Sequence, residues 1–391
     1  MAFDAKYFKK TGYSFTKETR CKRMVQKFYP IGTACIPDED SEAIKLDNKI
    51  SEALCNKVCP KVQNLLKVIF NVKSISATMM ELQVDGAKLP LNNLTAERIM
   101  KAIKIIHQLE ALSTKTDLKK QERLRKVTKL KQKFYGILPM ELSVHGCRAF
   151  DDVSDMRKIK NTFKHIFDIS VAYDQIQKVE NVKKDPIYKL YQSLNTELEL
   201  VEKDSEEFNM IVEYGSKTCG APREQYYQLK IEEIYKIKNH ESHKKYEKFY
   251  RLGNRMLLWK GNRLINYGRI FKKGIQPMAA IGYLSWKNNN LEKGIDFSDM
   301  MWKAVLDCEA TYTNSTGLLL LCEVALGRTS DDLSDVNKTH STADSFKYIG
   351  QVGPDLSGNI ILENEVIMPV GDIDKSNYYG NTNQYPDILY V

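Results

Sequence analysis

A chain of 391 residues, 42% hydrophobic and 28% charged, exceeds one ordinary core and has the composition of a folded protein of two or three domains. No apolar run approaches the roughly 20 residues that span a bilayer, and Met1-Ala2-Phe3-Asp4 opens neither a signal peptide nor an Arg-rich transit sequence, so no membrane partner and a cytoplasmic or nuclear address are expected. The net charge of +9 sets 59 basic against 50 acidic residues, and its distribution matters more than its size.

In chain order, residues 1–40 interleave aromatics with basic residues, as in Tyr7-Phe8-Lys9-Lys10-Thr11-Gly12 and Gln26-Lys27-Phe28-Tyr29-Pro30. Pro37-Asp38-Glu39-Asp40-Ser41-Glu42 then leads into an acidic linker placed at 41–57. Over 58–203 the periodicity is helical: Val62, Leu65, Leu66, Ile69 and Phe70 recur at spacings of three and four. Ile99, Ala102, Ile103, Ile106 and Leu109 repeat the pattern after Thr95, which stands where an N-cap belongs. Within 115–133, nine basic residues face only Asp117 and Glu122, so this stretch carries +7 of the total. Clustered cations bind polyanions by releasing condensed counterions, which makes Lys115, Lys119, Lys120, Arg123 and Lys126 candidates for nucleic-acid contact. Leu118, Val127, Leu130 and Phe134 lie near helical spacing in the same stretch, so the competing reading is the solvated face of an amphipathic helix. Beyond residue 203, segments 226–237 and 357–366 alternate like strands, and 317–326 is a continuous apolar strand fit for a sheet interior. The expected class is α+β, an all-α domain over 58–203 followed by a mostly antiparallel β domain over 204–391.

Eight cysteines are scattered along the chain, and Cys55 and Cys59, four apart, lack a second pair to complete a zinc site. The six histidines make no metal constellation and Gly-x-Gly-x-x-Gly is absent, so no metal and no Gly-rich dinucleotide turn are expected.

Three motifs carry the most specific signal. Leu257-Leu258-Trp259-Lys260-Gly261-Asn262-Arg263-Leu264, Gly294-Ile295-Asp296-Phe297-Ser298-Asp299-Met300 and Gly317-Leu318-Leu319-Leu320-Leu321-Cys322-Glu323-Val324-Ala325-Leu326-Gly327 resemble the NAD-binding strand, the Gly-Ile-Tyr-Phe-Ala-Asp-Met segment and the core strand of poly(ADP-ribose) polymerases. Leu89-Pro90-Leu91-Asn92-Asn93-Leu94-Thr95, Phe134-Tyr135-Gly136-Ile137-Leu138-Pro139 and Lys184-Asp185-Pro186-Ile187 resemble the helical regulatory domain of the DNA-dependent branch, which shields the NAD site until DNA binding loosens it. Phe8-Lys9-Lys10-Thr11-Gly12 followed by Lys27-Phe28-Tyr29-Pro30-Ile31-Gly32 resembles the tail of a Trp-Gly-Arg (WGR) domain, so 1–40 reads as its remnant. The resemblance implies an ADP-ribosyltransferase fold with NAD as substrate, a nuclear location, and a link to protein ADP-ribosylation and the DNA damage response.

Carried over motif by motif, the resemblance also implies a substituted site. The family's His-Tyr-Glu triad falls on Lys260, Asp296 and Gln384, its second stacking tyrosine on Asp307, its nicotinamide-binding serine on Ala304 and the serine after the glycine on Asn262. Gly261, Arg263 and Lys303 persist, and His340 matches a minor contact near the adenosine. The family's reaction builds a ribosyl cation, so a lysine brought toward it raises the barrier, and two carboxylates remove aromatic stacking surface. Lys260 and Asp296 carry opposite charges and are expected to approach within ion-pair distance and fill the nicotinamide space; the competing reading is two surface charges without a role. Between 274 and 282 a loop is shorter than the family's, and the chain, ending at Val391, is expected to lack an edge strand. The expected function is a family member inactive in polymer synthesis. The alternatives are a residual mono-ADP-ribosyltransferase using Glu309, Glu323 or Asp387, a non-catalytic partner of nucleic acid, poly(ADP-ribose) or an active relative, and a decaying copy without function.

Overall fold

The structure is a computed structural model, and it describes residues 2–11, 56–82, 84, 89, 91–113, 119–139, 153–179, 185–219, 229–277, 294–310, 315–330, 342–347, 352–374 and 389–390. The chain divides into two compact units, one formed by Met1–Glu52 with Asn71–Asn181, the other by Ala53–Phe70 with Val182–Val391. Helix α1 (Ala2–Thr11) opens the first. Helix α2 (Pro60–Ile69) belongs to the second, although its periodicity is continuous with the helical half of the sequence. Proline at its first turn supplies a fixed φ where no backbone donor is needed, and its face of Val62, Leu65, Leu66 and Ile69 is buried. That periodicity reports a helix with one buried side; it cannot report which unit the side is buried against.

In the first unit, α3 (Val72–Glu81) starts where Asn71 accepts a hydrogen bond from the Ser74 amide at 2.7 Å. Helix α4 (Ala96–Ser113) starts at Thr95, whose hydroxyl accepts from the Arg98 amide at 3.3 Å, as an N-cap does. Ile99, Ala102, Ile103, Ile106 and Leu109 on α4 are buried, and α5 (Lys120–Ile137) packs beside it. Phe134 of α5 is fully buried, with its ring 5.7 Å from Phe163 of α6 (Val153–Gln177). Truncating such a ring to alanine costs roughly 3–5 kcal/mol.

The second unit begins with α2 against α7 (Pro186–Ser193) and β1 (Glu197–Leu200). Its centre is an eight-residue antiparallel ladder between β3 (Arg255–Asn262) and β5 (Leu318–Ala325). The continuous apolar run at 317–326 forms β5, as its pattern requires. Strand β10 (Ile367–Pro369) joins β3 in parallel and β9 (Asn359–Ile361) in antiparallel, giving the order β5-β3-β10-β9. A second sheet has the order β4-β12-β7-β6, from β4 (Asp296–Phe297), β12 (Leu389–Tyr390), β7 (Ser345–Lys347) and β6 (Thr329–Ser330), and β8 (Gly353–Pro354) pairs with β11 (Ile373–Asp374). Most pairings are antiparallel, so the α+β reading stands; β3 with β10 and β6 with β7 are parallel.

Two strand expectations are corrected. Of 226–237, only Tyr235–Ile237 lies in a strand among the described residues, β2 (Tyr235–Lys238), paired with β1. Alternation marks a half-buried extended chain, whereas a strand also needs a ladder partner. The single strand expected at 357–366 is a hairpin: a short 3-10 turn at Leu356–Gly358, then β9, then a tight turn closed by Leu362 N–H to Val366 O at 2.9 Å. Glu365 takes φ +63 in that turn, and neighbouring Asn364 was the residue type that signals it. No described helix is long and apolar enough to cross a membrane, and no three His, Cys, Asp or Glu among the described residues cluster as metal ligands.

Candidate functional site

The second unit also holds helices α9 (His240–Tyr246) and α10 (Tyr267–Lys273). Its three motifs converge where β3, β4 and a short helix, α11 (Met301–Leu306), meet. Trp259 on β3 exchanges two backbone hydrogen bonds with Ser298, at 2.7 and 2.9 Å, which ties the strand to the segment after β4. The Trp259 ring packs 5.0 Å from Tyr214, a residue of α8 (Glu206–Lys217), in a cluster with Met301, Ala304, Met368 and Val370. The Tyr214 hydroxyl lies 3.1 Å from both the Leu257 and the Asp299 carbonyls, so one phenol bridges strand and motif. Burial, reinforced by the nearby Asp299, pushes that hydroxyl well above the usual tyrosine range. Thr218 completes the clamp: its hydroxyl donates to Tyr214 O at 2.7 Å and accepts from the Met301 amide at 3.3 Å, at the start of α11. The sequence reading had no signal for Tyr214 or Thr218, because neither lies in a motif and their partners are remote in the chain.

Gly261 sits hard against α11. A methyl added there would lie 1.7 Å from the Ala304 carbonyl oxygen and 3.1 Å from Asp307 Cβ, so strand and helix approach as only glycine permits. Beside this contact, Lys260 Nζ donates to Asp296 Oδ2 at 2.6 Å, lies 3.9 Å from Asp307 Oδ2, and Lys303 Nζ lies 3.8 Å from Asp307 Oδ1. The four residues form an alternating charge network. Its members differ in wetness: the Lys260 side chain is 12% exposed and that of Asp296 44%. The space left between Trp259, Lys260, Asp296, Phe297, Lys303 and Asp307 is about 10 Å³, which is room for about one water molecule. The opposite charges at 260 and 296 therefore do pair, as expected from their signs.

The flanking polar residues are also engaged. The Arg263 guanidinium pairs with Glu309, which takes φ +49. Glu323 Oε1 accepts from Arg255 Nη1 at 2.8 Å and from the Tyr246 hydroxyl at 3.0 Å, while Arg255 stacks 4.1 Å from the Tyr250 ring. Asn262 Oδ1 accepts from Asn266 Nδ2 at 3.3 Å. The Cys308 thiol donates to the Leu318 carbonyl at 3.2 Å, and burial pushes its pKa up to about 11, away from thiolate chemistry. Lys260, Gly261, Asn262, Arg263, Asp296, Lys303, Ala304 and Asp307 are thus brought together. Gln384, His340 and Asp387 lie outside the described residues, as do Lys115, the part of the shortened loop from 278 to 281 and most of the WGR-like remnant and linker.

On α5, Lys119 and Lys126 are exposed, while Arg123 is half-buried with its Nε buried. Four residues before Val127 and seven before Leu130, it shares their face. For Lys120 only the backbone is described.

A family model described as the poly(ADP-ribose) polymerase catalytic domain matches residues 205–391, and one described as the poly(ADP-ribose) polymerase regulatory domain matches residues 56–207. Poly [ADP-ribose] polymerase 1 of Danio rerio is 31% identical over 372 residues, covering 93% of this chain and 35% of the relative. The poly [ADP-ribose] polymerase of Sarcophaga peregrina is 30% identical over 377 residues, 94% of this chain and 36% of the relative. Poly [ADP-ribose] polymerase 2 of Zea mays is 26% identical over 380 residues, 95% of this chain and 56% of the relative. The chain thus spans between about a third and little more than half of these relatives' lengths. With the two domain models lying end to end over the same segments that carry the helices and the strand-helix site, the chain belongs to the poly(ADP-ribose) polymerase family.

Proposed function

We propose that this chain is a family member that does not transfer ADP-ribose, its nicotinamide space being taken by its own ion-pair network. The family's catalytic domain uses NAD as substrate. The observation that carries the reading is the 2.6 Å contact between Lys260 and Asp296 beside a residual space of about 10 Å³, too small for a pyridine ring with its carboxamide. The residues present do not fit NAD there. The charge signs point the same way, since a lysine disfavours a developing ribosyl cation.

The residual-enzyme alternative is weakened by the pairing of Glu309 with Arg263 and of Glu323 with Arg255 and Tyr246, which leaves neither carboxylate poised as a replacement base. A nuclear location and a role beside active relatives in DNA repair follow from the resemblance and belong to this proposal. Incubating the purified chain with labelled NAD, with and without nicked DNA and next to an active relative, tests it. No incorporation above background is expected. Nor is any expected after Lys260→His, Asp296→Tyr and Gln384→Glu are combined, because Asp307 and Ala304 remain. Polymer or mono-ADP-ribose formed by the unaltered chain would overturn the reading.

A further inference from the structure

Helix α5 concentrates its outward charge on one side. Lys119 at the N-cap, Lys126 and Lys133 recur every seven residues with Arg125 and Lys129 beside them, all exposed. At about 100° per residue the five share a sector of about 120° and a length of about 21 Å. The adjoining sector, about 20° to 80° on the other side of Lys119, holds Leu130, Arg123, Phe134 and Val127, which are partly or fully buried.

Elsewhere Lys104, Lys189 and Lys244 are exposed on helices without a carboxylate partner among the described residues, but each stands singly, and others are paired. Lys101 with Glu97, Lys178 with Asp174, Lys217 with Glu213 and Lys245 with Glu241 are each matched one turn away, at 2.6 to 2.9 Å. On α5, Lys126 is matched by Glu122 at 2.7 Å, but Arg125, Lys129 and Lys133 have no ion-pair partner among the described residues. These three stand at i, i+4 and i+8, where like charges repel and weaken the helix that carries them. A row of unmatched cations kept at a cost to its own helix is complementary to a polyanion.

We propose that this face of α5 binds the phosphate backbone of a nucleic acid. One DNA strand advances about 3.4 Å per phosphate, so about 21 Å of helix runs alongside about six of them. Lysines and an arginine on phosphates position a duplex without reading its bases, so binding is independent of sequence. This inference does not rest on the reading of the NAD site.

The test uses the full chain and a fluorescent duplex of roughly 20 base pairs, with anisotropy measured from about 50 to 200 mM salt. The triple variant Lys126→Gln, Lys129→Gln, Lys133→Gln is compared with Lys101→Gln, Lys178→Gln, Lys217→Gln, which changes net charge equally. The α5 triple is expected to lower the log–log salt slope by about 2.7 and to weaken binding at least tenfold, with the control near the unaltered chain. A triple of lysine-to-arginine changes at 126, 129 and 133 should keep the affinity, which separates charge from folding. Equal binding by the two glutamine triples, no binding by the unaltered chain at low salt, or displacement of the duplex as readily by polyglutamate as by unlabelled duplex would each overturn the proposal.

Discussion

Lys260 on β3 and Lys129 on α5 are the same side chain in opposite electrostatic settings. Lys260 is nearly buried and closes on Asp296 at 2.6 Å with Asp307 behind it, whereas Lys129 is exposed, with arginine and lysine one turn to either side. The first arrangement consumes charge inside a packed site and leaves about 10 Å³; the second projects charge outward. Burial is what separates them. A desolvated ammonium must find a carboxylate, while a hydrated one can remain unmatched until a partner arrives.

The sharpest way to break the buried side of this comparison is Gly261→Ala. Its methyl would meet the Ala304 backbone carbonyl at 1.7 Å, and backbone cannot swing aside as a side chain can. A loss of about 3 kcal/mol or more is expected by urea unfolding, and a loss below about 1 kcal/mol would mean the strand and helix are not in contact. Next comes Tyr214→Phe, which strands the hydroxyl's place between two carbonyls and should cost about 2 kcal/mol. It also carries a pH signature. The folded chain holds the Tyr214 hydroxyl above its ordinary pKa of 10.0, so its contribution is fully present below about pH 10 and is lost as pH rises beyond that. Melting temperatures between about pH 9 and 11 should fall less steeply in the phenylalanine variant. Equal slopes would remove Tyr214 as a source of alkaline sensitivity.

Lys260→Met should cost about 1–2 kcal/mol, less than a fully buried pair because Asp296 is 44% exposed and can return to water. Adding Asp296→Met should recover part of that loss, and strict additivity in the double-mutant cycle would leave the pair without energetic coupling. At the small end, the Lys126, Lys129, Lys133 glutamine triple on α5 should move Tm by no more than about 2 °C while changing duplex binding. A large drop in Tm would show that these lysines are part of the packing after all.

Much of this architecture could be read from residue order. The spacing at Ile99 to Leu109 and the Thr95 cap describe α4, and the apolar run ending at Ala325 describes β5, because a helix face and a sheet interior impose local periods. The signs at 260 and 296 suggested a pair. The hairpin at 359–369 was missed because two short strands and their turn share one alternation, with Asn364 the single clue. Charge count alone ignores direction around a helix: Arg123 lies near Val127 and Leu130 and is half-buried, whereas Lys126 and Lys129 are exposed.

What residue order determined by itself was local or additive: which segments are helices, which strand is buried, where the positive charge accumulates, and which motifs tie the chain to its family. Tertiary structure decided everything that depends on partners far along the chain. It assigned α2 to the second unit, gave Tyr214 two carbonyls that lie 43 and 85 residues away, committed Glu309 and Glu323 to arginines, and brought Lys260 to Asp296 across 36 residues. Periodicity is a property of one element, whereas a closed site is a property of distances between elements, and those are set only when the core packs.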